Sequence, residues 1–213
     1  MHGVIPGKTS AQFPDSTAPS QQPIVVIKLA MRSNHPLGVL HRHMRVVGKM
    51  FDRMIDELDN NSDHFEYLGS NRYLANERAT SNEIMILAYF RSYEGLHKFS
   101  HAPDGAHREA WDYWNKEIMG KGKTEEGRMF SIMHEVYQAP AQRWESIYAN
   151  YHPSGIAATT FKVMVDGKEK WANPLVDASK GLLRTSKGRM AVTAGDENEV
   201  YGDDPYVNGN DKI

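Results

Sequence analysis

The feature that most constrains the fold is a change from a strand pattern to a helix pattern early in the chain. Residues 24–31, IVVIKLAM, form a short and nearly continuous apolar run that starts with β-branched residues, which is typical of a strand buried on both faces. From Leu40 to Leu58 the apolar residues recur at steps of three and four, which places them on one stripe of a helix. The chain therefore contains a strand–helix unit whose two elements both need apolar partners.

Three more strands and two more helices follow this unit. The apolar patterns predict strands over residues 64–76, 82–92 and 129–138, and helices over residues 93–101 and 106–119. With the two adjacent helices counted as one helical segment, the resulting order is strand, helix, strand, strand, helix, strand. This βαββαβ order is typical of a ferredoxin-like unit, an α+β fold with an antiparallel sheet and helices on one face.

The helices of such a unit leave the other face of the sheet uncovered. Several residues of that face are apolar, and a second copy placed sheet to sheet would cover them across a two-fold axis. We therefore predict an obligate homodimer, a dimeric α+β barrel. Its paired sheets are expected to enclose an apolar chamber, with at least one imidazole projecting into it.

The two ends of the chain show weaker patterns. Residues 1–23 are rich in Pro, Ser, Thr, Gln and Gly, so we predict a flexible leader there. The barrel domain is expected over residues 24–158, and a C-terminal extension that packs on it or trails from it over residues 159–213. Within the extension we expect a strand at 159–165, a short helix between 174 and 189, and an irregular acidic tail from 191 onward.

Composition excludes several classes of function. The 213 residues include 25 Lys and Arg against 27 Asp and Glu, a formal net charge of −2, whereas nucleic-acid-binding proteins carry a basic excess. The absence of cysteine removes disulfides, thiol nucleophiles, Cys-ligated zinc and iron–sulfur clusters. No apolar run approaches the roughly 20 residues that span a bilayer, and the N-terminus lacks a signal-peptide pattern. We expect a cytoplasmic protein without a nucleic-acid partner or a membrane span.

The first segment that could carry chemistry is the predicted helix at residues 106–119. Its His107, Trp111, Trp114 and Ile118 fall on one helix face. His107 is the titratable member of this bulky aromatic face. A packed core with a hydrogen-bonded histidine explains the face as well as a catalytic role does, so both interpretations stay open.

The second segment is the predicted strand at residues 129–138. Alternation places His134 on one face, and Glu135 on the opposite face with Ser131, Met133 and Tyr137. His134 and Glu135 are therefore not expected to act as a direct acid–base pair. One of them should face the barrel and the other the helices or a rim. A hydrogen-bond network that ties sheet to helix is as good an explanation as catalysis.

The ten histidines raise the question of a metal site. His97 and His101 are four residues apart and could chelate a metal, but no HExxH arrangement accompanies them. Solvent-exposed histidines near loops explain them better, and we predict no metal site. A nucleophilic serine is also unsupported, because there is no G-x-S-x-G elbow.

These segments resemble a known family, the one typified by the fumagillin-pathway monooxygenase, which is similar to the antibiotic-biosynthesis monooxygenases. The resemblance covers about residues 24–158. Its motifs are YFRSYEGLHKF at residues 89–99, His107-Arg108-x-x-Trp111-x-x-x-Asn115, His134-Glu135-x-Tyr137, WESIYAN at residues 144–150 and Pro153-x-Gly155. The resemblance implies a dimeric α+β barrel that oxygenates terpenoid- or polyketide-like molecules in secondary metabolism.

The function predicted from this resemblance is a monooxygenase that tailors a hydrophobic small molecule bound in the barrel pocket. No nucleotide, flavin or cysteine motif is visible, so we predict no cofactor and a substrate whose own anion reduces dioxygen. His134 is the candidate base or hydrogen-bond donor, and Arg32 could steady an oxyanion. The candidate catalytic residues are His134, His107 and Glu135, and the candidate substrate-binding residues are Arg32, Tyr89, Trp111, Tyr137 and Tyr148.

Other functions remain open, because this fold supports several chemistries. One alternative is a haem enzyme of the aldoxime-dehydratase or haem-oxygenase type, with haem b held by His134 or His107. Another is a non-redox cyclase or isomerase in which His134 or Glu135 moves a proton, and a further one is a ligand carrier without catalysis. Oxygen uptake, a Soret band and anaerobic turnover would separate them.

Overall fold

The computed structural model describes residues 3–75 and 83–192. Its strands are β1 Ile5–Ala11, β2 Ile24–Ser33, β3 Tyr67–Leu74, β4 Glu83–Phe90, β5 Phe130–Ala139, β6 Tyr148–Tyr151, β7 Phe161–Val165, β8 Lys168–Ala172 and β9 Leu175–Asp177. Its helices are α1 Arg42–Asn60, α2 Tyr93–His101, α3 Ala106–Tyr113, α4 Glu125–Arg128 and α5 Ser186–Arg189. A π-helical turn at Trp114–Ile118 and short 3-10 turns, among them Gly155–Ala158, complete the elements.

The main sheet has four antiparallel strands in the order β3-β4-β2-β5. The apolar run at residues 24–31 lies in β2, an inner strand that pairs with β4 on one side and β5 on the other. Between these strands the chain places α1 after β2, and α2 and α3 after β4. This is the ferredoxin-like arrangement, so the predicted α+β fold is confirmed, while the pairing of two copies stays a prediction.

The helices bury one face of this sheet. The apolar stripe of α1 is buried along most of its length, through Met44, Val47, Phe51, Met54 and Leu58. α2 starts at Ser92, whose hydroxyl accepts a hydrogen bond from the Gly95 N–H at 3.0 Å, an ordinary N-cap. Gly95 itself lies against the backbone carbonyl of Phe65, where a β-carbon would clash. The core therefore lies between the sheet and these helices.

The predicted helix at residues 106–119 changes its geometry halfway. α3 ends at Tyr113, and Trp114–Ile118 continues the chain as a π-helical turn. The wider turn shifts the side chains that follow it relative to an α-helix. Ile118 is consequently buried in the core at 1% exposure, instead of sharing a cavity face with His107 and Trp111.

The prediction of a flexible leader is wrong for the described residues at the N-terminus. Strand β1 lies between β6 and β9 in a second, three-stranded sheet. Phe13 is 1% exposed, with its ring 5.6 Å from Trp144 and 5.1 Å from Phe161. The N-terminal segment is ordered because β1 pairs with distant strands and Phe13 packs against distant aromatic side chains. The local composition does not predict these contacts.

The described part of the C-terminal extension packs on the domain. The predicted strand at 159–165 is present as β7, which pairs with β8, and the predicted short helix is α5. Strand β9 pairs with β1, so the extension and the N-terminal segment share one sheet. Together they cover one end of the outer face of the main sheet. The predicted irregular tail falls outside the described residues from position 193 on.

None of the helices among the described residues is both long and apolar enough to cross a bilayer.

Candidate functional site

An apolar cavity lies between the main sheet and helices α1, α2 and α3. Its volume is about 510 Å³, within the range of small-molecule sites. The sheet contributes alternate residues of three strands, because alternation sends every second side chain to the helix-facing side. These sheet residues are Ile27, Leu29, Ile86, Ala88, Phe90, Ile132, His134 and Val136.

Four histidines line this cavity. No single sequence motif indicated that they lie together. They come from three elements: His97 and His101 from α2, His107 from α3 and His134 from β5. The rings of His97 and His101 stack 3.8 Å apart at an angle of 11°. Both are exposed, as expected for histidines near loops, but they also border the cavity.

His107 is the half-buried member of this group. Burial lowers the pKa of its imidazole, the Ser100 carbonyl opposes that shift, and the positive charges of His101, Arg108 and His134 lower the pKa further. Its Nδ1 atom is buried and forms no hydrogen bond of ordinary geometry. The net effect favours a neutral ring at neutral pH, which can accept a proton.

His134 occupies the helix-facing side of edge strand β5. It lies opposite Leu29 in the register of β2 and β5, and it borders the cavity with Ile132 and Val136. The imidazoles therefore project into a cavity within one chain. This corrects the expectation that they project into a chamber between two paired sheets.

Glu135 and Tyr137 lie on the outer face of the sheet, away from the cavity. The Tyr137 hydroxyl donates a hydrogen bond to Glu135 Oε2 at 2.6 Å, and Lys28 Nζ lies 3.5 Å from the same oxygen. The hydrogen bond, together with the Lys28 charge, lowers the pKa of the Glu135 carboxyl. Glu135 is therefore an exposed, ionised member of a polar network, and it does not reach the histidines.

Arg32, Tyr89 and Tyr148 also lie outside the cavity. Arg32 is on the outer face, in register with Ser131 of β5, because it alternates with Met31. Tyr89 packs on the apolar cluster that contains Phe13, Trp144 and Phe161, where burial raises the pKa of its hydroxyl to about 12. The Tyr148 oxygen accepts a hydrogen bond from the Ala157 N–H at 3.3 Å. The positions of Tyr89 and Tyr148 suit packing.

The structure thus brings three of the predicted site residues together, His134, His107 and Trp111. The sequence did not indicate Arg108 as a site residue, although the motif at residues 107–115 contains it, and it did not indicate that His97 and His101 lie at a cavity. A signal for these two was available, since Tyr93, His97 and His101 recur every four residues and so share one face of α2. Within residues 3–75 and 83–192 no group of three or more His, Asp or Glu side chains could hold a metal ion.

The chain matches a known protein family, and its fold is similar to that of a solved structure. Residues 24–156 match the family model described as Monooxygenase af470-like. The chain is 33% identical over 197 residues to Monooxygenase af470 of Aspergillus fumigatus, an alignment that covers 89% of this chain and 68% of that protein. The matched family segment contains the main sheet and every helix that encloses the cavity.

Among solved structures, the chain is similar to the aldoxime dehydratase OxdRE in complex with butyraldoxime, with a TM-score of 0.50 and 12% identity. That superposition covers 71% of this chain and 39% of the dehydratase, so the chain spans about two fifths of that enzyme's length. A dimeric protein of ferredoxin-like fold from Bacteroides fragilis matches with a TM-score of 0.32 and 14% identity, covering 53% of this chain and 94% of the other. At 12% identity the likeness to the dehydratase concerns the fold alone.

Proposed function

Because this chain belongs to the Monooxygenase af470-like family, we propose that it oxidises a hydrophobic, terpenoid- or polyketide-like small molecule as a tailoring step of secondary metabolism. The substrate binds in the cavity between the main sheet and the helices. The observation that carries this proposal is an apolar cavity of about 510 Å³ bordered by imidazoles, one of which has a lowered pKa.

In the proposed reaction the substrate itself reduces dioxygen. His107 accepts a proton from an acidic methylene group, and the resulting carbanion and dioxygen form a hydroperoxide as the proton returns to the outer oxygen. Loss of water then gives a ketone, so that R₂CH₂ and O₂ become R₂C=O and H₂O. All four electrons come from the substrate, and no external reductant is consumed.

The other cavity residues would hold the substrate and its anion. His134, on the sheet wall of the cavity, can donate a hydrogen bond to an enolate oxygen formed by deprotonation. The indoles of Trp111 and Trp114 border the cavity and offer flat surfaces to an apolar substrate. The buried apolar side chains Ile86, Ala88 and Phe90 would keep water from the inner side of the anion, which strengthens each polar contact with it.

We further propose that two copies pair through the outer face of the main sheet. Beyond the end covered by the N- and C-terminal segments, this face carries the partly exposed apolar residues Met85, Leu87 and Met133. Pairing would bury them, and each copy would keep its own cavity on the helix side. Light scattering after size-exclusion chromatography tests this, and a monomer at micromolar concentration contradicts it.

Anthrone is a suitable probe of the oxygenase proposal, because it is apolar and has an acidic methylene group flanked by two rings. Chelator-treated protein should consume one O₂ per anthrone, release no hydrogen peroxide and place one ¹⁸O atom in the ketone. The His107→Ala and His134→Ala variants should approach the uncatalysed rate. A strict requirement for added iron or flavin, or turnover without oxygen, would overturn this version of the mechanism.

A haem-dependent enzyme is the second candidate, supported by the imidazoles around an apolar cavity. His134 or His107 would hold the haem iron, and haem would supply the oxygen or dehydration chemistry. The test is the spectrum of protein expressed with haem supply. A Soret band that is lost in His107→Ala or His134→Ala favours haem, and the absence of such a band favours the cofactor-free reaction.

A further inference from the structure

The ionisable groups around the cavity are strongly unbalanced in charge type. Its basic members are the Arg108 guanidinium and four histidines, of which His107 is held neutral at neutral pH. Among the described residues that line the cavity there is no carboxylate. The whole chain, by contrast, carries slightly more acidic than basic residues. A cavity bordered by one charge type attracts ligands of the opposite charge.

Arg108 is placed to use its charge on a ligand. Its side chain is exposed and borders the cavity, so it lies at the mouth. Among the described residues it forms no ion pair with a carboxylate. The nearest acidic residue in sequence, Glu109, is engaged by Arg53, with Nη2 and Oε2 2.6 Å apart.

The start of helix α3 does not itself provide the anion site. The Ala106 N–H donates to Glu57 Oε2 at 2.7 Å, so a carboxylate of the chain already satisfies this end of the helix. An incoming anion would therefore meet side chains, the guanidinium of Arg108 and the neighbouring imidazoles. A guanidinium binds a carboxylate through two parallel hydrogen bonds.

The interior of the cavity imposes the opposite requirement. Its inner wall consists of buried apolar side chains such as Phe51, Met54, Ile86 and Phe90. An anion buried among them would lose its hydration without compensation. A charged group must therefore remain at the mouth while an apolar body enters the cavity.

We propose that the ligand of this cavity is an amphipathic acid, an apolar molecule with one carboxylate that Arg108 binds at the mouth. This inference deepens the proposed function by naming a substrate class, and it relies on the cavity identified there. The carboxylate orients the ligand in the cavity and is separate from the methylene group that reacts.

The test compares decanoic acid with decan-1-ol, which share an alkyl chain and differ in the head group. Binding to the full chain is followed by tryptophan fluorescence, since Trp111 and Trp114 border the cavity. The acid should bind about tenfold more tightly, the effect of a charge-assisted guanidinium–carboxylate contact at the exposed mouth. Arg108→Gln should remove this preference and leave decan-1-ol binding unchanged.

Arg45→Gln is the matched control, because Arg45 is exposed on α1 and does not line the cavity. It should keep the tenfold preference. Equal binding of acid and alcohol to the unmodified chain, an unchanged preference in Arg108→Gln, or the same loss in Arg45→Gln would each overturn the proposal. Absence of binding by both ligands to folded protein would overturn it as well.

This outcome is separable from that of the oxygenase proposal. The binding experiment involves no turnover, so a preference for the acid can be present when anthrone is not oxidised. Conversely, oxidation of anthrone with equal binding of acid and alcohol supports a monooxygenase whose substrate is uncharged.

Discussion

The two faces of the main sheet carry different chemistry although the same strands form both. On the helix-facing side, apolar side chains and His134 border a cavity that three helices enclose. On the outer side, Lys28, Glu135 and Tyr137 form an exposed polar network. Neighbouring residues of β5 therefore have different environments, and only those on the helix-facing side border the candidate site.

The largest expected effect is on the free energy of unfolding, and it tests whether the core lies on the helix-facing side of the sheet. Phe90 is 1% exposed on the helix-facing side and packs edge-on against Tyr67, with centroids 5.3 Å apart. Phe90→Ala should lower the free energy of unfolding by about 3–5 kcal/mol, through lost burial and a residual void. Urea unfolding measures this. A loss below about 1 kcal/mol would contradict the assignment of the core to this face.

The next largest effect is expected on activity, which should depend on residues of the cavity and not on residues of the outer face. His107→Ala should lower kcat for anthrone oxidation by about 10²-fold or more, because it removes the proposed base. Glu135→Gln should stay within about twofold of the unmodified protein, since Glu135 lies on the outer face. Oxygen consumption measures both, and a large loss in Glu135→Gln would show that the outer face takes part in the reaction.

A third prediction concerns the contact that holds α2 beside the sheet. Gly95→Ala would place a β-carbon against the Phe65 carbonyl, and the displaced helix should reduce stability by about 1–3 kcal/mol. Gly48 in α1 has no atom within 4 Å of such a carbon, so Gly48→Ala should stabilise by about 0.5–1 kcal/mol. Equal effects in urea unfolding would contradict the close packing of α2.

The fourth prediction is a pH dependence. The pKa of His107 is lowered in the folded chain, from about 6.5 in an unfolded one. As pH falls through 6.5, the unfolded state binds the proton first, so the free energy of unfolding decreases. His107→Gln should lose less stability than the unmodified protein between pH 7.5 and 5.5. An equal or larger loss in urea unfolding would mean that the ring is not held neutral.

The smallest effect is expected on the outer face. Tyr137→Phe removes the hydrogen bond to Glu135 at an exposed position, and should change the stability of the monomer by no more than about 0.5 kcal/mol. The same change in a dimer would alter the dissociation constant if this face is the interface. Sedimentation at several protein concentrations distinguishes the two, and a large loss in the monomer would contradict the exposed network.

The sequence predicted those parts of the fold that depend on local spacing. Helix α2 runs from Tyr93 to His101 as predicted, and β2 and β5 lie within a residue or two of the predicted positions. Strand β1 escaped prediction because its partners, β6 and β9, are more than a hundred residues away. The same reason applies to the cluster of four histidines, which come from three separate elements.

What the sequence determined by itself is that His134 and Glu135 point to opposite sides of a strand, because alternation is a property of the extended backbone. Only the tertiary structure decided which side is the cavity. That depends on where α1, α2 and α3 pack, and packing follows from apolar surfaces of the whole chain meeting at once. Alternation therefore separates His134 from Glu135, and the packing of the helices makes His134 the cavity residue of the two.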